Sequence, residues 1–217
     1  MGVRLNRLGV CPRLNGTELR TRAGSDRRGH DCRLVADSRI PTLETERLLL
    51  LPLDRSRLEA FITLSADPEV MRYWAPEGAF ARTRAEENFA ASLLRLAKHG
   101  FGRRWIVLKE TGTGVGFTET KYFGSQVERV GPGTVEIGFM LARSAWGHRY
   151  ATEAATAICA EAFERLGLEL LSAVHHPANT ASQRVLAKLG MRFERELPGD
   201  WPLRLHRLTR AQWRTPA

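Results

Sequence analysis

The chain has 217 residues, 43% hydrophobic and 8% aromatic, which is enough for a substantial core in one ordinary domain with a terminal extension, or in two very small ones. Its formal charge is +9, but residues 1–40 carry nine Arg against four acidic residues, so more than half of the excess lies outside the patterned region. There is no 18-residue apolar run, no secretory h-region, no C-x-x-C pair among Cys11, Cys32 and Cys159, and no Cys/His cluster at metal spacing; these features argue against a spanning helix and a metal module and predict a soluble cytoplasmic protein.

Residues 1–40 hold no period of 2 or 3.6, and Arg, Gly and Asp dominate from Arg20 to Arg33. They read as a basic, disordered extension, with an arm for anionic partners or a translation start further along the chain as the alternatives. Pro41 opens the domain, 41–217. Leu43 to Leu53 has the makings of one strand, ended near Pro52. Asp54 suits the cap of a helix over Arg55–Leu64, with Leu58 and Phe61 on one face. Asp67-Pro68-Glu69-Val70-Met71 predicts a short second helix with Asp67 as cap and Pro68 in the first turn. Tyr73, Trp74 and Pro76 make an aromatic loop. Thr83 is the expected cap of a longer helix to about Lys98, stopped at His99-Gly100.

Trp105–Leu108 and Val115–Thr118 read as a β-hairpin, and Tyr122 to Pro132 as a loop or a further hairpin tip. Val135–Leu141 is the central strand. It turns at Trp146-Gly147 into a helix that reaches about Leu166, with Gly167 as its stop, and Cys159 falls on the apolar stripe as a buried, inert thiol. A strand aimed at a helix N-terminus is a natural anion site, because the first turn leaves N–H groups unpaired and the dipole favours negative charge. Leu170–Val174 is a further strand, Asn179–Lys188 a helix ended by Gly190, and Met191–Glu196 and Leu203–Leu208 two strands that pair across Pro198-Gly199-Asp200. The order β-α-α-α-β-β-β-α-β-α-β-β predicts one mixed α/β domain.

Five stretches then stand together. They are Leu43–Leu48, Asp67–Val70, Glu136–Phe139, Trp146-Gly147 with Tyr150–Ala154, and Asn179–Ser182 with Leu189–Met191. In this order and spacing the chain resembles the GNAT superfamily of acyl-CoA-dependent N-acetyltransferases, nearest the subgroup that acetylates ribosomal-protein N-termini. The likeness covers Thr42 to Trp213. It implies a central, mostly antiparallel sheet that splays at the cofactor site, with flanking helices. It implies acetyl-CoA as the acyl donor, held by Phe139, Met140 and Leu141 along the strand, by Trp146, Gly147, His148, Arg149, Tyr150 and Ala151 at the helix start, and by Asn179 and Ser182 on the other side.

The superfamily's pyrophosphate motif, Gln or Arg, two variable residues, Gly, one variable residue, then Gly or Ala, falls on Ser144 to Arg149. The central Gly is present. Ser stands first and Arg last, and Arg is costly wherever positive φ is required.

An amine with a lysine-like pKa of ~10.4 must lose a proton before it attacks a thioester. Glu136 is the first candidate base and Glu119 a weaker one. The tyrosine that protonates the leaving thiolate in many members falls on Leu186 here, which leaves Ser182 or water. The acceptor side is expected to hold Tyr73, Trp74, Phe117, Glu119 and Tyr122, aromatic and acidic groups that suit a cationic amine. A peptide N-terminus, a polyamine, a free amino acid and an aminoglycoside all stay open as acceptors. The partners implied are an amine-bearing small molecule or peptide N-terminus, no stable nucleic acid, no membrane, and a homodimer of the sort common in the family. The competing reading is a non-catalytic acyl-CoA sensor or partner-binding protein of the same fold. A nucleic-acid role would rest on the N-terminal arginines alone, with no base-reading helix to support it.

Overall fold

The computed structural model describes residues 40–122 and 134–213. The readings of residues 1–39 as a basic extension and of 123–132 as a loop lie outside the described residues; Ile40, placed in the extension, is buried beneath the first helices.

The sheet among the described residues runs in the order β1-β2-β3-β4-β5-β6-β8-β7. Its strands are β1 (Leu43–Glu44), β2 (Leu48–Pro52), β3 (Arg103–Leu108), β4 (Gly114–Tyr122), β5 (Val135–Leu141), β6 (Leu170–His175), β7 (Arg192–Leu197) and β8 (Leu203–Thr209). Every neighbouring pair is antiparallel except β5–β6. Helices α1 (Leu58–Ala66), α2 (Pro68–Met71) and α3 (Arg82–His99) precede β3. Helix α4 (Tyr150–Ala160) follows β5, and α5 (Thr180–Lys188) follows β6. The mixed α/β fold with a mostly antiparallel sheet is the one expected.

Alternation along the strands divides the core. Phe61, Phe89, Trp105, Phe117 and Met140 pack between one face and α1–α3, while Ile106, Ile137, Ile158, Leu171 and Leu186 pack between the other face and α4 and α5.

The single N-terminal strand of the sequence reading is corrected. Thr45 turns the chain between β1 and β2, its N–H donating to the Leu48 carbonyl at 3.0 Å. Its hydroxyl and the Arg47 N–H both donate to Oε1 of Glu153, at 2.6 and 2.8 Å, so this turn clamps the first turn of α4. Thr83 is not the cap of α3: Ala81 takes that position without a side-chain bond. Asp54, Asp67 and Asn179 do cap, accepting from Ser56, from Glu69 and Val70, and from Ser182 respectively. β3 begins two residues earlier than expected because Arg103 and Arg104 are buried on opposite faces, each against a carboxylate. Arg103 meets Glu119, with Nε 2.9 Å from Oε2, and Arg104 meets Glu161 through two nitrogens. Glu161 opens a π-helical turn, Glu161–Arg165, that continues α4; a π-bulge marks the point where this helix gives up α-helical regularity.

Candidate active site

β5 and β4 share seven registered pairs, Gly116↔Leu141 through Tyr122↔Val135, but β5 and β6 share one, Glu136↔Ser172. Beyond that pair the two parallel strands diverge, which leaves the backbone of Gly138–Leu141 facing a gap. A cleft of about 530 Å³ fills the divergence, bounded by β5, the start of α4, β6, α5, and the aromatic loop after α2.

At one end lies the turn into α4. Gly147 has φ +82°, and a Cβ built there would meet nothing within 4 Å. Arg149 has φ +65°, the one non-glycine residue with positive φ among the described residues, and its exposed side chain points clear of the core. Among the described residues, no carbonyl takes up the N–H groups of Gly147 through Ala151. These unclaimed donors, gathered at a helix N-terminus with open space before them, fit a phosphate or pyrophosphate. The left-handed conformation of Arg149 keeps its N–H in that set at a cost of ~1–2 kcal/mol. Arg149→Gly is therefore expected to raise stability by about 1 kcal/mol, a rise of ~2–4 °C in Tm for a chain of this size, read by thermal unfolding.

Trp146, Gly147, Arg149, Tyr150 and Ala151 line the cleft, as do Phe139, Met140 and Leu141 and, from α5, Asn179 and Ser182. His148 does not; its ring stacks on Tyr150 at 5.4 Å on the outside. The Trp146 indole N–H donates to the Leu141 carbonyl at 2.8 Å, which closes the end of β5. Leu186, at the tyrosine position of the family, is buried in the wall one turn beyond Ser182.

On the α1–α3 face of the same gap, Glu136 lines the cleft together with Tyr73 and Trp74. Burial pushes the Glu136 carboxyl above its ordinary value; Lys121, with Nζ 3.6 Å from Oε2, opposes that, and Glu119 adds to it. The three remaining acceptor-side expectations are corrected. Phe117 is fully buried, edge-on beneath Trp74 at 5.4 Å. Tyr122 is exposed at the far end of β4 against His99 and Phe101. Glu119 is buried outside the cleft, its oxygens taken by Arg103 and Lys121. Burial works to raise its pKa, but those two cations overcome this and hold it at about 2, far too low for a base at neutral pH.

Sequence reasoning passed over Lys121 and His175. His175 lines the cleft at the end of β6, with Nδ1 2.8 Å from the His176 carbonyl and Nε2 3.1 Å from Nε2 of His206. Burial holds both imidazoles below their ordinary value, His206 at about 4, so the pair is neutral at pH 7 and both nitrogens of His175 are engaged. Of the two carboxylates that line the cleft, Glu136 is the more buried; Glu69 is exposed and paired with Arg72. No group of three or more His, Cys, Asp or Glu gathers at metal-binding distance, and no helix is long and apolar enough to cross a membrane, among the described residues. Cys159 is buried and its thiol is pushed up to about 12 by burial alone.

Residues 47–192 match the family described as acetyltransferase (GNAT) domain. The FsC-acetyl coenzyme A-N(2)-transacetylase of Aspergillus fumigatus is 32% identical over 166 residues, 70% of this chain and 65% of that protein's length. The uncharacterized protein YkkB of Bacillus subtilis is 30% identical over 156 residues, 71% of this chain and 87% of that protein. Among solved structures, an acetyltransferase from Agrobacterium tumefaciens superposes with a TM-score of 0.68 at 29% identity, covering 78% of this chain and 94% of that one. The ribosomal-protein-S5-alanine acetyltransferase of Vibrio fischeri shares the fold, with a TM-score of 0.64 at 18% identity over 80% of this chain and 99% of that one.

Proposed function

This chain belongs to the GNAT acetyltransferase family, and from that premise we propose that it transfers an acetyl group from acetyl-CoA to a primary amine, either a peptide N-terminus or the amine of a small molecule. Acyl-CoA-dependent acetyl transfer is the activity of the family. The N(2)-transacetylase named above, which by its name uses acetyl coenzyme A, supports both donor and acceptor class. The observation that carries the reading is that one cleft joins the unclaimed N–H groups of Gly147–Ala151, the opened edge of β5 and the Glu136 carboxylate. The sequence motifs favour the subgroup that acetylates ribosomal-protein N-termini.

When bound, acetyl-CoA supplies a thioester carbonyl open to attack and a thiolate that leaves readily. The backbone N–H groups from Gly147 onward would hold its phosphates, and the edge of β5 beside the gap would align its arm. Tyr73 and Trp74 receive the cationic acceptor by cation–π contact. Glu136 takes one proton from the ammonium nitrogen, which leaves a neutral amine able to attack the thioester. The nitrogen sheds its second proton as the amide forms, and Ser182, one turn before Leu186 on α5, or water would relay that proton to the departing sulfur. Proximity and orientation within the cleft supply much of the rate. The catalytic unit placed at 41–217 by sequence takes in Ile40 as well, since that residue packs into its core, and the residues before Ser38 are dispensable for it.

Calorimetry with acetyl-CoA on the full chain, and on a chain shortened to begin at Ser38, tests the donor half. Thioester consumption on a panel of small amines and peptides tests the acceptor half. Micromolar binding by both chains with turnover on at least one amine is expected. Binding without turnover on any amine would make the protein an acyl-CoA sensor, and absence of binding would remove the reading altogether.

A further inference from the structure

Lys121 has no part in the reading above, yet it sits behind the proposed base. On one face of the sheet, cross-strand neighbours run Arg103↔Glu119↔Gly138, and beside them Lys121↔Glu136↔Ser172. Charge alternates along this row. Arg103 donates to Glu119 at 2.8 Å, Lys121 lies 2.6 Å from Glu119 Oε1 and 3.6 Å from Glu136 Oε2, and the exposures are 2%, 2%, 26% and 14% from Arg103 to Glu136. Four charges withdrawn from water in one row are a poor stability device, because desolvation offsets most of the attraction. Such a row beside a cleft is a mark of a tuned site. Lys121 also lies 5.8 Å from the Trp74 ring, so one ammonium touches both the base and the aromatic wall.

Resting on the assignment of Glu136 as base, we propose that Lys121 is a positioning residue, anchored by Arg103 and Glu119, that keeps Glu136 ionised and aimed at the acceptor amine. Without the ammonium, the carboxylates of Glu119 and Glu136 would face one another across Gly138, and burial would push Glu136 toward its neutral form. Lys121 holds its proton throughout: burial opposes its charge, but the two carboxylates raise its pKa above the ordinary value. The charged groups bearing on Glu136 are Lys121 and Glu119 of β4, with Arg103 of β3 behind them. β6 brings uncharged Ser172 opposite and His175, bonded to His206, at its end; across the cleft α2 and its loop bring Glu69 and Arg72, paired at 3.6 Å, and Arg149 before α4 with Arg184 and Lys188 of α5 line the same cleft.

The test is the pH dependence of kcat/KM in Lys121→Met and Lys121→Arg, beside carbon-13 titration of the Glu136 carboxyl in the free protein. A base loses activity as pH falls through its pKa. Lys121→Met is expected to move the acid limb and the carboxyl titration upward together, a loss of ~10-fold or more in kcat/KM on the acid side with less change at the alkaline plateau. Lys121→Arg is expected to keep the limb in place. In the unaltered protein the Lys121 Nζ nitrogen-15 shift should inflect at the same pH as the limb, which needs no variant to fold. An unmoved limb and carboxyl titration in Lys121→Met, or no inflection at Nζ, would overturn the role of Lys121. An acid limb that survives Glu136→Gln would instead remove Glu136 as the base, and this proposal with it.

Discussion

Glu136→Gln is expected to lower kcat by about 10²–10⁴-fold while leaving the affinity for acetyl-CoA within a few-fold of its starting value. The two effects separate because the residues involved lie at different ends of one cleft. Glu136 is at the one registered pair of β5 with β6, on the α1–α3 face, whereas the unclaimed N–H groups begin at Gly147 before α4. Gln keeps the shape of the side chain and its 3.6 Å neighbour Lys121 but cannot accept the proton of an ammonium group. The pH profile carries independent information. The Glu136 carboxyl lies above its ordinary value because it is buried, and Glu119 adds to this while Lys121 opposes it. Raised pKa means that kcat/KM falls with decreasing pH at a higher pH than for a free glutamate, and the limb should vanish in the Gln variant. Steady-state kinetics across pH, with calorimetry at one pH, reads both. Unaltered turnover in the variant would leave the cleft with no base in the position proposed.

The same residues explain why the fold was largely legible and the acceptor side less so. Asp67-Pro68, Asn179 and the glycines after α3 and α5 act through bonds within a few residues, so their meaning is local and sequence spacing carries it. The Thr45–Arg47 and Glu153 stretches, separate in sequence, meet in one clamp of hydrogen bonds, which is the physical content of two motifs that occur together. Local patterning misjudged Arg103 and Arg104, because an arginine inside a strand reads as surface until a carboxylate far along the chain is known to meet it.

The acceptor side failed for a related reason. Phe117, Glu119 and Lys121 alternate on one strand and so share a face, which sequence does show. Which of them opens onto the cleft depends on the register of β4 against β5, and the segment between those strands carries no pattern that fixes it. The observed register sets Phe117 opposite Met140 and Lys121 opposite Glu136. It thereby buries the aromatic residue beneath Trp74 and brings the lysine to the base.

Gly147→Asp is expected to weaken acetyl-CoA binding by ~100-fold or more, and Gly147→Asn by only a few-fold. The pair of substitutions separates charge from conformation. A Cβ at Gly147 meets nothing within 4 Å, so neither side chain is excluded by crowding in the free protein. Both replacements take the same φ of +82°, a region that Asp and Asn enter more readily than most residues, so whatever backbone strain arises is common to them. They differ in one negative charge, set where unpaired N–H groups and the helix dipole present positive potential to an anion. Two like charges ~4–5 Å apart near a protein surface repel by ~3–4 kcal/mol at an effective dielectric constant of about 20, and part of this is lost to screening and side-chain rotation. About 2.7 kcal/mol is enough for a 100-fold loss. The loss should shrink as salt is added, which a steric defect would not do. Calorimetry at two ionic strengths on both variants is the measurement. Equal, salt-independent weakening by Asp and Asn would mean that Gly147 is needed for its turn alone and that the phosphates lie elsewhere. Strong, salt-sensitive weakening confined to Asp would fix the anion at the start of α4, and with it the direction in which the donor runs along β5 toward Glu136.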